Sequence, residues 1–478
     1  MIFNSIEFAL FLPIVFLLYW FVFNRNYKLQ NIFVVVVSYI FYGWWDWQFL
    51  FLIAFTSFCS WASGIATERS RGNAKKLICG ANIVVNLAIL GIFKYYNFFV
   101  TEFTQLVFGG NSESWLINVI LPVGISFYTF QALSYSIDVF RGNIKATRDC
   151  VQFFAYVSFF PQLVAGPIER ATNLLPQFAR ERHFDYAQAI DGLRQMLWGF
   201  FKKMVIADNC AKAVDTVWAN YENLPASALA IAAILFAFQI YGDFSGYSDI
   251  AIGCAKLFGI SLKKNFHYPY FSRDIAEFWR RWHISLNTWF RDYLYIPLGG
   301  SRAGMLKTLR NTFIIFAVCG LWHGANWTYI VWGLFNAALF IPLLLTKRNR
   351  KNLDIVASDA KFFPSIKEFF QVAGTFIAVV FGWIIFRAPT ITDAWDFTKR
   401  MLCSGTWLEM PHDLNCPRII VPALAFLILA EWLSRRNEFA LEHVPAKNQI
   451  LRWAFYGAFM FFILQYDGGA TQFIYFQF

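Results

Sequence analysis

Residues 313–340 read FIIFAVCGLWHGANWTYIVWGLFNAALF, and no Asp, Glu, Lys or Arg lies between Arg310 and Lys347. An uncharged run of about 35 residues belongs in lipid and is long enough for two crossings at ~17–25 residues each. One imidazole, His323, sits inside it. With a helix start near Asn311, His323 lies about 12 residues in. That is ~18 Å along the axis, past the middle of a ~30 Å apolar layer. An ionisable group at that depth is costly and marks a functional site by default.

The rest of the chain has the same character. Its 478 residues are 58% hydrophobic and 15% charged, against about 25% charged in a soluble domain. This excludes an ordinary soluble enzyme and points to an all-α polytopic membrane protein. Aromatics make up 20% and are assigned here to lipid-facing and interfacial positions. Apolar runs recur from 8–23 to 451–466 and imply about eleven crossings, with one or two re-entrant or interfacial pieces. The first run has no basic flank and no small-residue cleavage site, so it is expected to be a retained membrane helix.

The net charge of +11 does not indicate nucleic acid, because the basic residues cluster in short loops between apolar runs. Arg25 and Lys28, then Arg69, Arg71, Lys75 and Lys76, then Arg141, Lys145 and Arg148 alternate with loops 44–48 and 96–114, which carry none. The positive-inside rule places the basic loops in the cytoplasm and the N-terminus outside. The same alternation puts 256–310, 347–367 and 435–447 inside and 388–417 outside, which leaves His323 in the outer half of the membrane. Eight cysteines include no C-x-x-C pair, against a zinc or disulfide framework. Cys403 and Cys416 share a loop, which leaves one bridge open. No repeat or long linker divides the chain, so residues 1–478 are expected to form a single membrane domain with an active-site core at roughly 120–346.

Five segments carry polar groups in apolar surroundings. In Gly320-Leu-Trp-His-Gly324, small residues one turn apart admit a close helix. His323 stands between them, beside Trp322 and one turn from Asn326. It is either a packing histidine at a crossing or a general base, since imidazole accepts a hydroxyl proton near neutrality. Ser272–Tyr295 has Asp274 and Glu277 spaced as a capping box. Its aromatics follow at helical spacing, with Glu277, Arg280, Arg281 and Arg291 opposite, which predicts an amphipathic helix at the cytoplasmic interface. His283 and Asn287 border its apolar face, either incidentally or as a second polar wall of a reaction chamber. In Tyr241–Asp249, Asp243, Ser245, Tyr247 and Asp249 suit either a broken helix lining a cavity or capped helix ends. Phe160–Arg170, with Gln162 between two prolines, predicts a re-entrant turn. Leu121–Gln131 predicts a kink. His183, His412 and His443 sit in polar loops, and His267 reads as a loop hydrogen-bonder. No metal-ligand spacing, Walker motif or nucleophile elbow occurs.

The strings FWRRWHISLNTWFRDYLYIPLGGSR (278–302) and GLWHGANW (320–327) strongly resemble the membrane-bound O-acyltransferase family. Segments 122–131, 160–169 and 243–253 and the terminal FIYF extend the likeness over nearly the whole chain. The branch resembled most is that of the bacterial alginate O-acetyltransferase membrane subunit, with peptidoglycan O-acetylation and teichoic-acid D-alanylation proteins as cousins. Asn287 stands where the family pattern has Ser. The resemblance implies a ring of tilted helices around a thinned centre, with a tunnel joining cytoplasmic and outer funnels. It implies His323 as the catalytic histidine and His283 as the family's second histidine or asparagine.

The activity implied is acyl transfer, taken as acetyl, from a cytoplasmic thioester to a hydroxyl of an extracytoplasmic polysaccharide such as alginate, or to a relay partner protein. The donor is expected to be acetyl-CoA or an acyl-carrier thioester, with no bound cofactor, no metal and no nucleic-acid partner, in the bacterial inner membrane. Trp322, Asn326, Asn287, Arg291, Asp292, Asp243, Ser245, Tyr247 and Gln162 are the expected tunnel lining. Of these, Arg291 and Asp292 position the donor together with His283. The rival class is a transporter of a lipid-linked sugar or a proton-coupled solute, which requires paired intramembrane charges and inverted repeats.

Overall fold

The computed structural model describes the chain except for 110–114, 119, 165, 303, 358–361, 412–413, 445–447, 470–472 and 475–478. His412 and the end of the FIYF motif lie outside the described residues. Every element among the described residues is helical. Two compact units divide the chain: residues 1–193 with 251–263, and 194–250 with 264–478.

In the first unit, α1 (Ile6–Leu17) starts at Ser5, whose side chain accepts from Phe8 N. It runs on through a π turn at Leu18–Val22. There follow α2 (Tyr27–Gly43), α3 (Phe49–Arg69), α4 (Gly72–Phe108), α5 (Ile125–Arg141) and α6 (Cys150–Ser158). Polar groups stitch the apolar helices together, as is common in lipid. Asn82 of α4 donates to Ser136 Oγ of α5 at 2.7 Å, and Gly64 of α3 lies against the Tyr135 ring. The 121–131 motif is a helix start rather than a kink. Gly124 takes φ +73°, and a Cβ there would meet the Leu163 carbonyl at 2.5 Å, so only glycine fits. The 160–170 segment opens with a single helical turn, Phe160–Leu163, and holds no longer helix among its described residues, as its prolines predict.

Two helices, α7 (Tyr186–Phe200) and α9 (Ala226–Leu257), run from one unit's residues into the other's, with α8 (Asp208–Ala219) between them in sequence. The second unit holds α10 (Ile275–Arg281), α11 (Ile284–Phe290), α12 (Met305–His323), α13 (Trp327–Leu345), α14 (Ile366–Arg387), α15 (Ile391–Cys403), α16 (Ile420–Leu433) and α17 (Gln449–Gln465). Ser365 and Glu368 form a complete capping box at the start of α14.

Among the described residues, α3, α4, α9, α12, α13 and α14 are the six helices long and apolar enough to cross a membrane, beside shorter apolar helices at Ile6–Val22 and Ile420–Leu433. The chain is therefore a multi-pass membrane protein. Others among the expected crossings are shorter: α2 and α17 each stop at 17 residues, or ~25 Å at 1.5 Å per residue.

Two expectations are corrected. Residues 241–249 neither break nor cap a helix, because α9 is continuous over 32 residues. Its glycines serve close packing instead: a Cβ on Gly246 would lie 2.8 Å from the Gly199 carbonyl. The single amphipathic helix over 272–295 is two helices, α10 and α11, broken at Trp282–His283. Its polar side is solvated only in part: Arg280 and Arg291 are exposed, whereas Glu277 is buried and ion-paired to Arg273 and Arg281. Cys403 and Cys416 are unbridged.

Candidate active site

The long uncharged run folds as an antiparallel hairpin. A Cβ on Gly320 of α12 would overlap the Tyr329 carbonyl of α13, and one on Gly333 would overlap the Phe316 carbonyl. These glycines let the two backbones touch. The turn is Gly324–Asn326, where the Asn326 side chain caps α13 by accepting from Thr328 N at 3.0 Å and donates to the Pro389 carbonyl at 2.9 Å. Asn326 is thus a helix cap. His323, expected about 12 residues into a helix starting near Asn311, is the last residue of α12, which starts at Met305, ahead of the apolar run, and stops at Gly324.

His323 is 3% exposed. Its ring meets Trp322 at 5.0 Å, Trp332 at 5.1 Å and Phe386 at 5.4 Å between centroids, each near perpendicular. The ring of His283 lies 5.9 Å from Trp322 as well, so both histidines sit against one indole. Behind them, Trp279, Trp282, Trp332 and Trp383 form a buried aromatic wall in which neighbouring centroids are 4.9–5.8 Å apart. The 20% aromatic content therefore also builds this interior, besides supplying exposed rings such as Trp44 and Trp395.

His283 is positioned by the break between α10 and α11. An extended strip closes the gap, as His267 N donates to the Arg281 carbonyl and Ile284 N to the Asn265 carbonyl. Asn287 donates to the carbonyls of Trp279 and Trp282 at 2.7 and 2.6 Å and so ties off the end of α10. His283 itself takes φ +43°, a left-handed conformation that costs roughly 1–2 kcal/mol in a non-glycine residue. Its Nδ1 lies 3.0 Å from Asn265 Oδ1, which also accepts from Ser285 N and Oγ, while Asn265 Nδ2 donates to Ser248 Oγ. With Asn265 Oδ1 fixed as an acceptor, Nδ1 of His283 must carry the proton. Nε2 is then the basic nitrogen. Burial pushes this imidazole down to about 3, so it is neutral at ordinary pH. Asn265 gave no signal in the sequence, because its partner is 18 residues away and no motif marks it.

The other expected residues separate. Asp243, in α9, pairs with Lys203 at 2.7 Å, and Lys203 also pairs with Asp208 at 2.7 Å. Lys202 pairs with Asp249 at 2.6 Å. Both lysines lie in the π turn 201–207 and went unremarked in the sequence reading. Tyr247 is buried against Phe473 at 4.4 Å. Ser245 is buried one turn from Asp249. Phe473 also packs on Phe244, whose ring lies 4.5 Å from that of His283, so α9 reaches the site through Phe244. Arg291 and Asp292 pair with each other at 2.7 Å in a π turn beyond α11, with Arg291 exposed. Gln162 belongs to the first unit, where it donates to the Tyr156 carbonyl. A cavity of about 230 Å³ in the second unit is walled by α9, α14 and α16 and closed by Tyr241 and Glu431, not by either histidine.

Two buried imidazoles thus share one indole, against a wall of buried aromatic rings. Residues 142–365 match the model of the membrane-bound O-acyltransferase family. Over 90% of its length the chain is 39% identical to 81% of a protein of Pseudomonas aeruginosa named "Probable alginate O-acetylase". It is 32% identical to a peptidoglycan O-acetyltransferase of Helicobacter pylori, with 82% of this chain and 78% of that one aligned. A teichoic acid D-alanyltransferase of Bacillus subtilis is 27% identical over 70% of this chain and 85% of its own.

Proposed function

We propose, for a chain that belongs to the membrane-bound O-acyltransferase family, that it moves an acetyl group from a cytoplasmic thioester to a hydroxyl of an extracytoplasmic polysaccharide, directly or through a relay protein. That it is a multi-pass membrane O-acyltransferase, and so takes an acyl donor, follows from the family. The donor as acetyl-CoA or a carrier thioester, a bacterial inner-membrane location with the N-terminus outside, and one domain over 1–478 are parts of this reading. The relatives' named activities support acetyl and a polymer acceptor.

The observation that carries the residue assignment is the pairing of His323 and His283 on Trp322. In the proposed reaction His323 takes the proton of the acceptor hydroxyl. The oxygen attacks the thioester carbonyl, the C–S bond breaks, and the imidazolium returns its proton to the departing thiolate. His283, held neutral with Nε2 as its acceptor nitrogen, orients the hydroxyl. The aromatic wall keeps out water, which would hydrolyse the thioester. Since both imidazoles are at most 3% exposed, substrates must displace neighbouring rings to reach them. His323→Ala should abolish polymer acetate while protein in the membrane stays at the wild-type level, and retained acetylation refutes the assignment.

The carrier reading has one observation on its side, the buried pairs of Lys202 and Lys203 with Asp249, Asp208 and Asp243. Labelled acetyl-CoA given to purified protein separates the two. Release of thiol with acetyl transfer supports the enzyme, and solute flux without thioester turnover supports a carrier.

A further inference from the structure

A second cavity, of about 350 Å³, lies in the first unit at the end of α1, within the ~300–1,000 Å³ range of small-molecule sites. Phe16, Trp20, Phe21 and Phe184 supply its apolar walls, and Glu181 and Arg182 its charges. Arg182 is 7% exposed. Its Nη2 donates to Asn31 Oδ1 at 2.8 Å and to Gln30 Oε1 at 3.3 Å, and more weakly to the Tyr27 carbonyl at 3.5 Å; its Nε donates to Gln30 Oε1 at 3.4 Å. The guanidinium carbon lies over the rings of Tyr19 and Phe178 at 5.6 and 5.4 Å. Among the described residues Nη1 has no hydrogen-bond partner, and no carboxylate is within ion-pairing distance.

Two other buried cations, Lys203 and Arg273, are paired with carboxylates. Lys203 has two carboxylates at 2.7 Å, and Arg273 has Glu277 at 3.1 Å. A buried charge is ordinarily paired, and the missing group here is an anion. The surroundings say what kind. Two of the wall rings, Phe21 at 77% and Phe184 at 49% exposed, stand open at the rim, where an apolar chain can lie along them. A free phosphate gains nothing from such rings. Exposed Glu181 in the same cavity supplies a negative group beside the positive one. A head bearing both a phosphate and an ammonium matches that pair, and an ammonium also gains from aromatic faces.

We propose that this cavity binds the headgroup of an aminophospholipid, its phosphodiester toward Arg182, its primary ammonium toward Glu181, and its glycerol and first methylenes along Phe21 and Phe184. In the orientation proposed above, where loop 24–28 is cytoplasmic, the lipid comes from the inner leaflet.

The test is native mass spectrometry of full-length protein exchanged into mixed micelles of phosphatidylethanolamine and phosphatidylglycerol. Wild type should retain one phosphatidylethanolamine in preference to phosphatidylglycerol by about 2–5-fold, the worth of one exposed ion pair. Glu181→Gln, on an exposed side chain and so expected to fold normally, should keep a lipid but lose the preference. Arg182→Gln should lose the lipid. Millimolar phosphoethanolamine, which has the head without the chains, should not displace it. Equal retention of both lipids by wild type, an unchanged preference in Glu181→Gln, retention in a folded Arg182→Gln protein, or displacement by the soluble head would each overturn the proposal.

Discussion

Acid should unfold this protein through a histidine that the proposed chemistry needs neutral. Burial pushes His283 down to about 3, against ~6.5 for an exposed imidazole. Below pH 6.5 the unfolded chain binds a proton that the folded chain refuses. Stability is therefore complete above pH 6.5 and is lost as the pH falls toward 3. At pH 5 the loss is RT ln(1 + 10^1.5), about 2 kcal/mol, because the folded imidazole is still unprotonated. His267, lowered to about 4 chiefly by burial, has the same sign and contributes about another 2 kcal/mol at pH 5. His283→Asn removes the titration and suits the backbone, since Asn tolerates the left-handed φ. Its loss on going from pH 7.5 to 5.0 should be smaller than that of wild type by about 2 kcal/mol. The difference is read from SDS unfolding in the same detergent and salt. Any destabilisation of the variant at neutral pH cancels in that comparison. An acid loss equal to wild type would refute the neutral, Asn265-fixed imidazole.

His323→Ala should lower acetyl transfer by ~10²–10⁴, the usual worth of a general base, read as acetate on the polymer at matched protein level. Gly320→Val should weaken the α12–α13 hairpin by at least ~1–3 kcal/mol of overpacking. Gly374→Val is the control, since a Cβ there meets nothing within 4 Å, and equal thermal stability of the two variants would contradict the packing argument. Lys203→Met leaves Asp208 and Asp243 buried without their cation, at a cost of ~3–5 kcal/mol. Adding Asp208→Asn and Asp243→Asn should restore much of the folded yield measured by size-exclusion chromatography.

Whatever depended on local composition was legible in the sequence. The uncharged run announced two crossings, and a tight hairpin turn falls at its middle. The family strings also named the two histidines that the fold places on Trp322. What depended on distant partners was hidden. Asp243 and Asp249 looked like caps or cavity residues because Lys202 and Lys203 lie 47 and 40 residues from their respective partners. Helical periodicity over 275–293 concealed the break at His283, because the strip at 265–267 satisfies the broken backbone and gives no local mark. His323 was misplaced along its helix for a simpler reason. Only the apolar residues of α12 announced it, and its polar first turns, with Thr308, Arg310 and Asn311, are just as helical.

Those hidden features bear on one requirement. A thioester can be attacked in a membrane only where the base is basic and water is absent, and these demands conflict, because burial alone makes imidazole a poor base. His283 shows the conflict plainly: burial drives it down to about 3. His323 is buried to a similar degree, as the last residue of α12. On the proposed reading, the turn at Gly324 fixes where the base stands, because it ends α12 at His323 and lays Trp332 of α13 against the imidazole.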